Sequence, residues 1–233
     1  MKWTKVIMAG VCMLAAVGAS YGSSIFSEDF ESYTAGSGIK GQNGFRTINR
    51  TASQNESVVA IGSPFKGGSN SLFISDKDTT SSLGNMLVEK KIELPAGPLV
   101  FFFDFNVTKN KQNPSFAVNE GMEPVFKLNF FNLSGKVYNL LSATQQVEIS
   151  PYMLSTGLWY HAEITIGDLS NADSYALRIM EETSDGGKEV INVPAIPLRN
   201  KGKTFTSFNF GAAGGLGMAG SAFYIDNIQI TQP

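Results

Sequence analysis

The chain has 233 residues, 42% apolar and 16% charged, with 24 Gly, 9 Pro, 17 Phe and one Cys, a balance that excludes disordered, collagen-like and disulfide-built proteins. Sparse charge with abundant Phe and Gly favours a folded all-β domain over a helical bundle, which draws on Ala, Leu, Glu and Lys. The formal charge is −2, and no basic run accompanies the aromatic residues, so nucleic acid is not an expected partner.

In chain order, Lys2 and Lys5 precede an apolar run from Val6 to Val17, and the small residues Gly18, Ala19, Ser20, Gly22 and Ser23 follow. This is the layout of a cleaved export signal, with the cut after Ala19 or Gly22. The apolar run is shorter than the ~20 residues a bilayer span needs. Residues 1–22 are therefore expected to be a signal peptide, the mature chain to lack a membrane span, and the protein to work in the periplasm or outside the cell. Removal of Lys2 and Lys5 from 18 basic residues leaves 16 against 20 acidic ones, a net −4. The lone cysteine, Cys12, leaves with the signal. Residues 23–233 are then one domain held by its own core or by a metal.

Along that domain, short alternating or apolar runs recur between Gly, Pro, Asn and Ser. They predict strands over Gly44–Ile48, Ser57–Ile61, Ser71–Ser75, Met86–Leu94, Leu99–Val107, Val125–Asn132, Val137–Leu141 and Gln145–Ile149. Further strands are predicted over Trp159–Ile166, Tyr175–Glu182, Glu189–Val193, Phe205–Phe210 and Ala222–Thr231, with a hairpin turn at Asp185-Gly186-Gly187. Lys109–Glu123 reads as the longest loop. The set suits one two-sheet antiparallel sandwich.

Side chains alternate between faces along a strand, so phase separates core from surface. Phe101, Phe103, Phe105 and Val107 share one face, opposite Phe102, Asp104 and Asn106. The same division buries Phe126, Leu128 and Phe130, then Tyr160, Ala162, Ile164 and Ile166, then Tyr175, Leu177 and Ile179. The opposite positions, including Lys127, Asn129, Trp159, His161, Glu163 and Arg178, are expected to form one polar and aromatic face shared by four strands.

Three segments carry a family resemblance: Glu28-Asp29-Phe30-Glu31-Ser32-Tyr33, Leu158-Trp159-Tyr160-His161-Ala162-Glu163-Ile164, and Phe223-Tyr224-Ile225-Asp226-Asn227-Ile228-Gln229-Ile230. Together they resemble the concanavalin A-like lectin/glucanase superfamily, laminin-G-like domains included. The resemblance implies a jelly-roll sandwich and a carbohydrate partner. It also implies a structural calcium ion, Ca2+, at an early acid and an acid of the last strand, here Asp29, Glu31 and Asp226. The phase of Asp226 with Tyr224, Ile228 and Ile230 would bury its carboxylate, which demands a partner: a metal, backbone N–H groups or a basic side chain.

One histidine and no mature cysteine exclude a His-rich zinc centre, a Cys nucleophile and an iron–sulfur cluster. Gly215–Gly220 matches a dinucleotide fingerprint only on paper, since a strand rather than a helix follows it. The paired carboxylates of a retaining glucanase strand do not occur. The expected function is glycan binding, in which flat rings stack on sugar C–H faces and planar polar groups bind hydroxyls. Asp104, Asn129, Trp159, His161, Glu163 and Arg178 are the expected contacts, with Phe131 a further candidate ring. The alternatives are a polysaccharide lyase or hydrolase, with His161 as base made more basic by Glu163 and Arg178 as charge neutraliser, and an adhesive surface protein.

Overall fold

The computed structural model describes residues 22–49, 56–61, 70–76, 85–108, 113–130, 134–168, 171–213 and 221–233. The expected signal segment up to Tyr21, Phe131 and the glycine-rich Gly215–Gly220 lie outside them. The first strands are β1 (Ser23–Glu28), β2 (Phe45–Asn49), β3 (Glu56–Ile61), β4 (Asn70–Asp76) and β5 (Asn85–Lys91). Next come β6 (Leu99–Val107), β7 (Asn113–Glu120), β8 (Glu123–Phe130), β9 (Val137–Leu140) and β10 (Gln146–Glu148). The last are β11 (Trp159–Ile166), β12 (Ser174–Thr183), β13 (Gly186–Pro197), β14 (Ser207–Ala213) and β15 (Ser221–Gln232). Among the described residues no helix is long and apolar enough to cross a membrane.

Two antiparallel sheets face each other. An eight-stranded sheet runs β13-β12-β11-β6-β15-β4-β3 with β1 also paired to β15, and a seven-stranded sheet runs β10-β9-β8-β7-β14-β5-β2. One edge of β15 follows β6; the other is shared, β4 taking Ser221 to Ile225 and β1 taking Ile228 to Gln232. The two-sheet jelly roll expected from the sequence is the observed fold. β1 and β7 are strands the sequence reading did not find. Most of β7 fell inside the expected Lys109–Glu123 loop, because Asn113-Pro114 reads as a turn and only Phe116 and Val118 mark the buried face.

The alternation of Phe101, Phe103 and Phe105 sets the core. All three are buried between the sheets, where Phe103 meets Phe116 at 4.8 Å and Phe210 at 5.1 Å, and Phe105 meets Phe130 at 4.7 Å. Such offset and edge contacts add to simple burial. The inward sets expected from β8, β11 and β12 are buried as well.

Two expectations of phase are corrected. β8 belongs to the seven-stranded sheet, so Lys127 and Asn129 do not share a face with Trp159, His161 and Arg178; alternation assigns a residue to a face and says nothing of which sheet carries it. The second concerns β15, where the pairing register shifts between Asp226 and Gln229, and Asn227 takes a left-handed φ of 49°. This bulge breaks the alternation, so Tyr224 and Asp226 face outward while Ile228 and Ile230 point into the core.

Candidate functional site

The outer face of the eight-stranded sheet brings five of the six expected ligand contacts together, and closes two of them off. His161, Asp104 and Asp226 stand in register across β11, β6 and β15. His161 Nδ1 lies 2.7 Å from Asp104 Oδ1, and Asn227 Nδ2 donates to Asp104 Oδ2 at 2.7 Å. The carboxylate anchors the ring, which also stacks on Phe102 at 5.9 Å and 22°. Asp104 is 0% and Trp159 2% exposed. Neither offers a surface to a ligand, because the side chains of neighbouring strands close over the centre of this face. His161 is 34% exposed.

Glu163 is not the partner of His161. It faces Arg178, whose Nη1 is 3.8 Å from Glu163 Oε2 and whose Nε donates to Glu189 Oε2 at 2.6 Å. Arg178 is thus committed to two carboxylates, which argues against its expected service as a neutraliser of substrate charge. The register that pairs Glu163 with Arg178 and Asp104 with His161 decides both outcomes.

Asp29, Glu31 and Asp226 do not form one cage. Asp29 Oδ1 accepts the Glu31 N–H at 3.1 Å, and Glu31 Oε1 accepts the Asn70 N–H at 3.1 Å, at the rim where β1 leaves the sandwich. Asp226 lies opposite Asp104 on the outer face, in ordinary alternation with inward Phe223 and Ile225. Among the described residues no three of His, Cys, Asp and Glu converge on a metal position, so Asp29, Glu31 and Asp226 do not together supply a three-carboxylate cage. The buried acid at the rim is instead Glu28, which accepts the Phe30 N–H at 2.9 Å, Asn43 Nδ2 at 2.8 Å and the Tyr33 hydroxyl. Burial, then Glu28, raise the Tyr33 pKa well above that of an ordinary phenol.

The sixth expected contact, Asn129, belongs to a different surface. Registers across β8, β7, β14, β5 and β2 line up outward-facing rows: Asn129, Ser115, Gly211, Leu87 and Ile48; Lys127, Ala117, Asn209, Glu89 and Arg46; and Pro124, Asn119, Ser207 and Lys91. A solvated sheet face would expose such positions. Here Ser115, Ala117, Asn119, Asn129, Ser207 and Glu89 are only 2 to 5% exposed. Neighbouring side chains cover these positions, and half-buried Asn209, Leu87 and Lys127 form the accessible floor of a shallow trough. The Leu87 side chain packs onto Gly211, where a Cβ would meet Leu87 Cδ2 at 2.4 Å and Ser115 Oγ at 3.0 Å.

At one end the trough opens into a cleft of about 450 Å³ bounded by Arg46, Glu89, Lys91, Glu93, Met122 and Ser207. Ser207 Oγ donates to Glu89 Oε1 at 2.8 Å, and Arg46 Nε donates to Glu89 Oε2. The bond to Glu89 raises the Arg46 pKa. The sequence reading missed this pair because it joins positions 43 residues apart. The only signal was a carboxylate in the outward phase of Met86–Leu94.

The cleft wall is tied down at the β7–β8 hairpin. Glu120 accepts Lys203 Nζ at 2.7 Å, the Thr204 N–H at 3.1 Å and Thr204 Oγ1 at 2.9 Å. Lys203 first and Thr204 next hold its pKa down at about 2. A depressed carboxylate adds stability that is complete above its unfolded value of roughly 4.3 and disappears as pH falls through the folded value. The urea midpoint gap between the wild type and Glu120→Gln is accordingly expected to close between about pH 5 and pH 2. A gap that stays constant across that range would contradict the assignment.

No protein-family model and no curated protein matches this sequence. Solved structures do match its shape. Lectin II from Ulex europaeus superposes with a TM-score of 0.55 at 10% identity, over 90% of this chain and 99% of the lectin. The family 131 glycoside hydrolase catalytic domain from Coprinopsis cinerea gives 0.57 at 11% identity, over 91% and 95%. The chain has the concanavalin A-like lectin/glucanase fold. Arcelin-5, a lectin-like defence protein from Phaseolus vulgaris, shares that fold with a TM-score of 0.53 at 12% identity, over 88% and 97%. A concanavalin A-like sandwich accommodates both binding and hydrolytic proteins, so function has to be argued from the site.

Proposed function

We propose that the protein binds a saccharide in the trough on the outer face of the seven-stranded sheet. One observation carries this reading: the trough, floored by half-buried Asn209, leads into a cleft of about 450 Å³ lined by Arg46, Glu89, Lys91 and Ser207, a recess of the size a small ligand fills. Amide and hydroxyl groups on a rigid floor supply the paired donors and acceptors that sugar hydroxyls require. Shape neighbours that include lectins, one of them complexed with galactose, support the same class of ligand. The export-signal layout of residues 1–22 supports a place of work in the periplasm or outside the cell.

Binding is favoured over hydrolysis by the carboxylate arrangement. Retaining hydrolysis uses two carboxyl groups roughly 5 Å apart and inverting hydrolysis roughly 6.5–9.5 Å apart. Within the three outward rows across β8, β7, β14, β5 and β2 the acid is Glu89, already engaged by Arg46 and Ser207. Glu93 at the cleft mouth is four residues further on, about 13 Å of extended chain.

The test is retention on a panel of immobilised polysaccharides. Asn209→Ala, which removes a half-buried amide from the middle row, is expected to weaken binding about tenfold with an unchanged melting midpoint, the loss of one to two hydrogen bonds. A protein that retains no polysaccharide at millimolar sites, or an Asn209→Ala variant that binds as well as the wild type, would sink the proposal.

A further inference from the structure

We infer that the saccharide of this trough is anionic, bearing carboxylate or sulfate groups that dock on Arg46 and Lys91; the inference rests on the glycan-binding reading above. The two outer faces of the sandwich carry opposite charge. On the eight-stranded sheet the outward positions hold Asp104, Glu163, Glu182, Glu189 and Asp226 against Arg178, with His161 beside Asp104. On the seven-stranded sheet the corresponding rows hold Arg46, Lys91 and Lys127 against Glu89, with Glu93 at the cleft and Glu148, at the β10 edge, paired with Lys136. Glu120 and Glu123, at the hairpin end, face Lys203. A chain of net negative charge thus carries its excess of acid on one outer face and sets Arg46 and Lys91 beside Glu89 and Glu93 on the other.

The geometry of Arg46 makes the argument specific. Its guanidinium is engaged through Nε by Glu89, a carboxylate that is itself almost wholly buried and braced by Ser207. That bond fixes the plane of the fork. Among the described residues nothing bonds its two terminal nitrogens, and the side chain is 47% exposed where it lines the cleft. A planar fork held in this way offers two parallel N–H groups to a carboxylate or sulfate. Lys91 lies on the same face as Glu89, two residues along β5, about 7 Å of strand away. It supplies a second point charge along the same wall. Both cations also donate to neutral hydroxyls, but only an anionic group gains the charge-assisted strength.

Affinity electrophoresis and titration calorimetry with polygalacturonate, dextran sulfate and neutral dextran and galactan test this. At least one anionic polymer is expected to bind at least about tenfold more tightly in ~20 mM than in ~500 mM salt, and neutral polymers at least tenfold more weakly at low salt. Lys91→Gln, and Arg46→Lys, which keeps the charge and loses the fork, are each expected to weaken that binding about tenfold. Lys201→Gln, at an exposed ion pair with Asp173, leaves it unchanged. Retention of polygalacturonate alone identifies carboxylate as the docking group, and of dextran sulfate alone, sulfate. Neutral glycans bound as tightly, without salt dependence, overturn the charge assignment and leave saccharide binding standing. Failure to bind any glycan overturns both.

Discussion

Replacing Phe103 by alanine is expected to lower the free energy of unfolding by about 3–5 kcal/mol, the usual cost of removing a ring from a core that cannot fully collapse. Its ring touches Phe105 on its own strand and Phe116, Phe130 and Phe210 on three strands of the opposite sheet. The cavity left behind would therefore sit between the sheets, bounded by rings from both, each held by other contacts. For a domain of this size the loss corresponds to a drop of roughly 6–20 °C in the melting midpoint. Phe73→Ala is the control, since Phe73 is half-buried on the outer face with its ring 5.0 Å from that of Tyr224. It is expected to cost about 1 kcal/mol. Urea melts that rank Phe73→Ala at or above Phe103→Ala would show that the interface between the sheets is not where stability resides.

Arg46→Ala is expected to cost about 2–3 kcal/mol, and Glu89→Gln less than about 1.5 kcal/mol, although both break the same pair. The asymmetry comes from burial. Loss of Arg46 strands a carboxylate that is 3% exposed, with Ser207 Oγ as its remaining donor. Loss of the Glu89 charge returns a half-exposed guanidinium to water, which solvates it well. An uncompensated buried charge, more than the missing attraction, sets the penalty. The double variant Arg46→Ala/Glu89→Gln is expected to recover most of the stability lost in Arg46→Ala. Equal penalties for the two single variants, or no recovery in the double, would mean that Glu89 is not held as described.

These variants mark where sequence reading reached and where it stopped. The Phe101, Phe103 and Phe105 row was legible because alternation is a local property and each ring lies in one uninterrupted strand. Glu89 was not, because the residues that bury and bond it come from β2 and β14, and nothing in the Met86–Leu94 run announces them. Asn129 was correctly placed outward and given the wrong companions, since phase is blind to which sheet a strand joins. Trp159 and Asp104 point away from the core as expected, yet are enclosed, because an outward direction implies access only where the neighbours are small. Asp226 failed for a further reason: one residue, Asn227, in a left-handed conformation reverses the faces of everything after it. The export signal and the calcium expectation rest on the segments quoted for them, and Asp29, Glu31 and Asp226 fail to assemble a cage around the second.

The position of β15 also dictates when the molecule can become itself. The strand that comes last in the chain order of the two sheets sits inside the eight-stranded one, touching β6 on one side and both β4 and β1 on the other. Until those dozen residues arrive, the sheet has a gap through its middle and the phenylalanine layer has no complete lid. Non-local pairing of this kind makes the final closure slow.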